Sequence, residues 1–146
     1  MKRVVITAMI MAAFSIPASA NEYPWKTLPP FEISFVDGYQ ETYNAGDQIV
    51  FYVEGKSPSR VEAEPQAGFD VQAYIVDQTA KRNHTGTNGK YDENRRAWLV
   101  TLTAPKDNTK SYEISVSLYC GKDESPCAEI YGRAAQTQKT LNLLVR

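Results

Sequence analysis

The sequence predicts an all-β fold, a single antiparallel β-sandwich of about seven to eight strands, on three observations. Apolar side chains recur at every second residue in at least six segments, the period of a strand with one face in a core. Gly, Pro, Asp and Asn interrupt these segments at short intervals. No segment beyond residue 20 sustains apolar residues at i, i+3, i+4 and i+7, the spacing of an amphipathic helix. A closed barrel is the alternative way to pack the same strands.

The chain opens as a secretory signal. Lys2 and Arg3 supply the positive end, residues 4–16 the apolar run, and Pro17-Ala18-Ser19-Ala20 the small-residue cleavage site. The run is short for a membrane span and no second one follows, so no stable membrane insertion is expected after cleavage behind Ala20. Removing 20 of the 146 residues leaves 126, enough for one domain at 31–146 behind an extended lead-in at 21–30. It also takes the basic count from 16 to 14 against 17 acids, a net charge near −3. That balance argues against nucleic acid as a partner.

The elements follow in order. Asn21 to Pro30 holds three prolines and two large aromatics, so it cannot donate a full ladder of hydrogen bonds. Phe31, Ile33 and Phe35 alternate with Glu32 and Ser34 as a first strand, and Asp37-Gly38 ends it. After the turn at 43–47, Ile49, Phe51 and Val53 mark a second strand, broken at 55–59. Residues 61–66 suggest a short edge strand. Phe69, Val71, Ala73 and Ile75 mark the third. The polar stretch Asp77 to Arg96 holds Asn88-Gly89, the pair that two-residue hairpin turns favour, and reads as a projecting hairpin or long loop. Trp98, Val100 and Leu102 form the next strand. Tyr112, Ile114, Val116, Leu118 and Cys120 then share one face of a central strand, with Glu113, Ser115, Ser117 and Tyr119 on the other. A short segment at 128–131 and a connector precede the last strand, where Leu141, Leu143 and Val145 alternate with Asn142 and Leu144.

Cys120 and Cys127 are the only cysteines. In an exported chain they are expected to be bonded, closing a loop of eight residues. Six residues lie between them with no neighbouring His or third Cys, which suits neither a zinc site nor a redox pair.

The run from Trp98 to Pro105, Trp-x-Val-x-Leu-x-Ala-Pro, followed by Tyr112-x-Ile-x-Val, resembles the end of strand E, the corner and the start of strand F in immunoglobulin-like and fibronectin type III-like sandwiches. Tyr112 stands where a tyrosine corner would sit. Tyr43 to Phe51 resembles the approach to strand B in bacterial extracellular immunoglobulin-like modules. The cysteines sit together instead of bridging two sheets, unlike those of antibody domains. The resemblance implies an immunoglobulin-like shape and transfers no activity.

Two regions stand out as binding candidates. If the third strand, the central strand and the last strand share a sheet, Tyr74, Val76, Tyr119 and Leu144 form a partly aromatic outer patch, and such patches mark partner sites. The 128–131 segment or the lead-in would otherwise cover them. The excursion after Cys120 is held shut by the disulfide and carries Lys122, Asp123, Glu124, Tyr131 and Arg133. A loop ordered in advance loses less entropy on association. Lys81, Arg82, Lys90, Arg95 and Arg96 make Asp77 to Arg96 locally basic, suited to an acidic partner or to a solvated hairpin. His84 is the single histidine and stands beside no nucleophile motif, so it reads as a solvated side chain. Asn83-His84-Thr85 matches a glycosylation acceptor pattern in what looks like a bacterial chain. Asp77 and Asp92 match no calcium-loop spacing, so no metal is expected, and no cofactor.

These features point to a periplasmic or secreted, non-enzymatic protein that recognises another protein or envelope macromolecule, as an accessory, inhibitor or immunity-type component. The competing expectations are a cell-wall hydrolase, needing converging carboxylates or an activated nucleophile, and an adhesin or fibre subunit, needing an open sheet edge.

Overall fold

The computed structural model describes Leu28, residues 30–55 and residues 62–146. The expected signal segment and most of the lead-in lie outside the described residues. Nine strands form among those described: β1 (Phe31–Phe35), β2 (Thr42–Tyr43), β3 (Gln48–Gly55), β4 (Phe69–Asp77), β5 (Arg82–Asn88), β6 (Lys90–Asp92), β7 (Ala97–Thr103), β8 (Tyr112–Cys120) and β9 (Gln136–Val145), with one short helix, α1 (Pro126–Tyr131). One sheet runs β1-β3-β7-β6 and the other β2-β9-β8-β4-β5. The fold is a β-sandwich, and its strand order is the immunoglobulin-like one, A-B-E-D against G-F-C with an added C′. Pairing is antiparallel except where β2 lies parallel to β9. That exception arises because the first extended segment is split, its first half pairing with β3 and its second crossing to β9.

Alternation along the strands builds the core. Ile49, Phe51 and Val53 of β3 meet Val100 and Leu102 of β7 in one layer, and Val71, Ala73, Ile75, Ile114, Val116 and Leu118 face them from the other, all 3 % exposed or less. They belong to one cluster, together with Leu28. Leu28 is 2 % exposed and its amide donates to Gln136 O at 3.4 Å, so the end of the lead-in is part of the packed domain. The Tyr112 hydroxyl donates to Asp107 O at 3.1 Å. That bond from the start of β8 back to the preceding loop is the geometry of a tyrosine corner.

Three expectations are corrected. Asn88-Gly89 is not a hairpin turn. β5 pairs with β4 in one sheet and β6 with β7 in the other, so the chain crosses between layers at Gly89. Its amide donates to Val71 O at 2.8 Å, and a Cβ there would lie 3.1 Å from Val71 Cβ and 3.3 Å from Trp98 Cβ. Glycine answers a close approach at this point, not a positive φ. The stretch 77–96 therefore lies on the body of the sandwich and supplies two strands. Where an edge strand was expected before Gly68, Pro65–Ala67 forms a single 3₁₀ turn, its proline unable to donate to a ladder.

Both ends of the 77–96 stretch are closed by aspartates. Asp77 Oδ1 accepts from Thr79 N and Ala80 N at 2.9 and 3.0 Å, and Asp92 Oδ1 accepts from Asn94 N and Arg95 N at 3.0 and 3.1 Å. Asp77 is 4 % exposed and also accepts from Lys110 Nζ at 3.1 Å. The Ala80 amide and then Lys110 hold its carboxyl below the usual range, against the opposing effect of burial, while the Thr109 hydroxyl and amide lower Asp107. A carboxyl with a depressed folded value contributes stability above its unfolded value near 3.9, and that contribution is lost as pH falls through the folded value. Melting temperature should therefore drop on acidification below about pH 4. Asp77→Asn should melt lower than the parent at neutral pH and flatten the acid limb. An unchanged limb in thermal melts would refute the assignment.

Candidate functional site

The stapled loop is built on the end of β8. Cys120 and Cys127 form a disulfide, with their Cα atoms 5.7 Å apart. Ser125 caps α1: its Oγ accepts from Ala128 N at 3.2 Å and donates to Lys122 O at 2.7 Å. Pro126 occupies the first helical turn, where its missing amide is not needed. Gly68, at φ +92°, passes so close that a Cβ on it would run into the Ser125 side chain. The loop is thus tied to the end of β8 by the disulfide and to the start of β4 by the approach of Gly68, whose carbonyl accepts from Gly121 N at 2.7 Å, while the Ser125 cap orders it from within.

This clamping sorts the candidate residues. Cys127 is fully buried, and Tyr131, four residues on along the same helical face, is half-buried with its ring 6.3 Å from that of Phe69. The Tyr131 hydroxyl is buried without a partner among the described residues. Tyr131 is a packing residue that closes the end of the core, and α1 covers that end and not the outer sheet face. Lys122, Asp123, Glu124 and Arg133 are all exposed. Arg133 Nη2 pairs with Asp123 Oδ2 at 2.7 Å. Both partners are largely in solvent, so the pair contributes little stability and leaves its charges accessible.

Tyr74 and Tyr119 stand on the outer face of the five-stranded sheet, as the alternation of β4 and β8 requires. The Tyr119 hydroxyl donates to Asp70 Oδ2 at 3.2 Å. Burial, and then the neighbouring Asp70 carboxylate, push its pKa up to about 12, so it remains a donor. The Tyr74 ring lies over Gly86 of β5, where a Cβ would collide with it. Its hydroxyl donates to Gln72 Oε1 at 3.3 Å. The expected apolar patch does not form. Gln72 and Ser117 lie between the two tyrosines, and Leu144, 51 % exposed, is at the far end of β9 beyond Gln138, Thr140 and Asn142. Beside Tyr119, a shallow depression of about 300 Å³ is lined by Gln72, Ser117, Tyr119, Asp123, Ala134 and Gln136, together with Cys120. It joins the outer face to the stapled loop.

No family model, no curated protein and no solved structure matches this chain.

The remaining candidates are spread out. Lys81 and Arg82 lie at the Asp77 end of β4, while Arg95 and Arg96 sit in the turn before β7, so the basic stretch makes no single patch. Arg95 lies over the Tyr52 ring at 4.0 Å, and Arg96 reaches Glu62 at 3.5 Å. The exposed His84 has its ring edge-on to Tyr112 at 5.7 Å. Asp77 is engaged by Lys110, and Asp92 by its own turn, at different ends of the 77–96 stretch. Among the described residues no group of three or more His, Cys, Asp or Glu is placed to hold a metal, and no helix is long and apolar enough to cross a membrane.

Proposed function

We propose that this chain is an exported, non-catalytic β-sandwich that binds another envelope macromolecule through one composite ledge: the outer face around Tyr119 and the adjoining stapled loop. The observation that carries this reading is the double clamping of the loop. The disulfide and the Ser125 cap order the loop before any partner arrives; Asp123 lines the depression beside Tyr119, and Lys122, Glu124 and Arg133, the last paired with Asp123, are exposed around it. A surface fixed in advance loses less conformational entropy on association. Tyrosine offers a rigid, amphipathic contact at low entropic cost. The disulfide and the signal-like first twenty residues both support export to the periplasm or beyond.

The fibre-subunit reading meets an obstacle at β9. Between Leu28, bonded at Gln136, and Glu41, bonded at Leu144, the outer edge of β9 carries Lys139, whose Nζ lies 5.3 Å over the Phe31 ring. A lysine turned toward the space between sheets at an edge opposes the addition of another strand. In pull-downs from bacterial envelope extract, Tyr119→Ala and Arg133→Glu, each shown to be folded, should lose most of the captured partner. Undiminished capture by both variants would overturn the assignment of the ledge.

A further inference from the structure

Between Asp70 at one end of the five-stranded sheet and Glu113 at the other, the outward positions of β4, β8 and β9 carry no charged side chain. In a chain of which 23 % is charged, this gap covers the most central outward surface of the sheet. The one lysine of β9, Lys139, is turned away from the field toward Phe31. What fills the field is amide, hydroxyl and phenol. Gln138 Nε2 donates to Ser115 Oγ at 2.7 Å, and Gln72 Oε1 accepts from Tyr74, so among the described residues each amide uses one of its several hydrogen-bonding sites and keeps the rest. The rings of Tyr74 and Tyr119 flank Gln72 and Ser117.

Depletion of charge within a charged rim is the compositional mark of an interface centre. The charges bordering it are Asp70 and Glu113 at its ends and, on the loop beside Tyr119, Asp123 with its partner Arg133. A protein partner would seek an apolar anchor pocket at such a centre, and here the two tyrosines flank the polar Gln72 and Ser117 instead of lining one. A nucleic acid would need a basic field. A neutral saccharide needs neither. Its hydroxyls donate and accept together, as amides and serine hydroxyls do, and its apolar ring faces can stack on tyrosine. It also brings no charge to be desolvated at the centre of a field that has none to pair with it. We infer that the ledge takes an uncharged glycan chain, laid across β4, β8 and β9 with Gln72, Ser117 and Gln138 as hydrogen-bonding floor and Tyr74 and Tyr119 as stacking sides.

This inference rests on the binding reading above and specifies its ligand class. The test is a glycan array of neutral and anionic oligosaccharides, N-acetylglucosamine oligomers among the neutral ones, probed with the purified disulfide-bonded chain. Titration calorimetry on the best binder should follow. Saturable binding to a neutral oligosaccharide, insensitive to added salt, is expected. Gln72→Ala combined with Gln138→Ala should weaken it about tenfold or more, as the loss of two hydrogen-bonding amides implies. Thr101→Ala, exposed on the opposite sheet, should leave it unchanged. Binding confined to anionic glycans and abolished by salt would overturn the inference, as would full affinity in the double variant. Capture of an envelope protein through Tyr119 with no neutral glycan bound would overturn the glycan and leave the broader reading standing. Absence of both would remove the two together.

Discussion

Replacing Trp98 with Ala is expected to destabilise the fold by about 3–5 kcal/mol, a large fraction of the roughly 5–15 kcal/mol that a domain of this size commands. Trp98 is 4 % exposed in the second position of β7, paired with Val53 on one side and Tyr91 on the other. Its Nε1–H donates to Ala63 O at 2.9 Å, and the Tyr91 ring meets it edge-on at 5.2 Å. One side chain therefore ties the segment before β4 to the β6 edge and caps the layer crossing at Gly89. Alanine removes the ring, opens a cavity beneath Gly89 and leaves the Ala63 carbonyl without its donor. Trp98→Phe retains most of the volume and should cost about 1 kcal/mol, close to the hydrogen bond alone. Urea unfolding followed by circular dichroism separates the two, and a Trp98→Ala midpoint equal to that of the parent would contradict this account.

The strands that carry the core were legible because their alternation is uninterrupted. Residues 69–77 and 112–120 switch between buried and partly buried at nearly every step, with only Ser115 out of pattern, sheltered beneath Gln138. The resemblance of Tyr112 to a tyrosine corner has its counterpart in the bond to Asp107. What escaped the sequence was long-range. Asn-Gly has the same composition whether it turns a hairpin or slips between Val71 and Trp98, and only the partners of β5 and β6 separate the two cases. Alternation alone places Tyr74, Tyr119 and Leu144 on one face. Their separation depends on register, which sets Asp70 against Tyr119 and Ser115 against Tyr74. Helix α1, at six residues, is too short for an apolar period to develop. A local signal was nonetheless present: Ser125-Pro126 is a cap followed by a first-turn proline, and Cys127 and Tyr131 are four apart. A disulfide that draws Cys127 inward draws the same helical face with it, which is why Tyr131 packs on Phe69 while Lys122, Asp123, Glu124 and Arg133 remain outside.

Substituting both Cys120 and Cys127 with Ala should destabilise the domain by about 2.5 kcal/mol on the loop-entropy account, since the closed loop spans eight residues. The loss falls unevenly. β8 is held by β4 and β9 on both sides and should persist. The loop has fewer ties: the Ser125 cap, the Tyr131 ring on Phe69, the approach of Gly68 with its carbonyl accepting from Gly121 N at 2.7 Å, and the Cys120 N to Ala135 O bond at 2.9 Å. Amide exchange in residues 121–135 should therefore accelerate far more than in β4 or β8, because local opening requires only that α1 lift from the end of the core. If the ledge is the binding surface, the double variant should also bind its ligand more weakly by a slower-forming, faster-dissociating complex, as ordering of the loop is transferred to the binding step. Uniform acceleration of exchange across both sheets, with the loop no different from the strands, would show that the disulfide stabilises the whole domain instead of the ledge, and would remove the physical basis for assigning recognition to the loop.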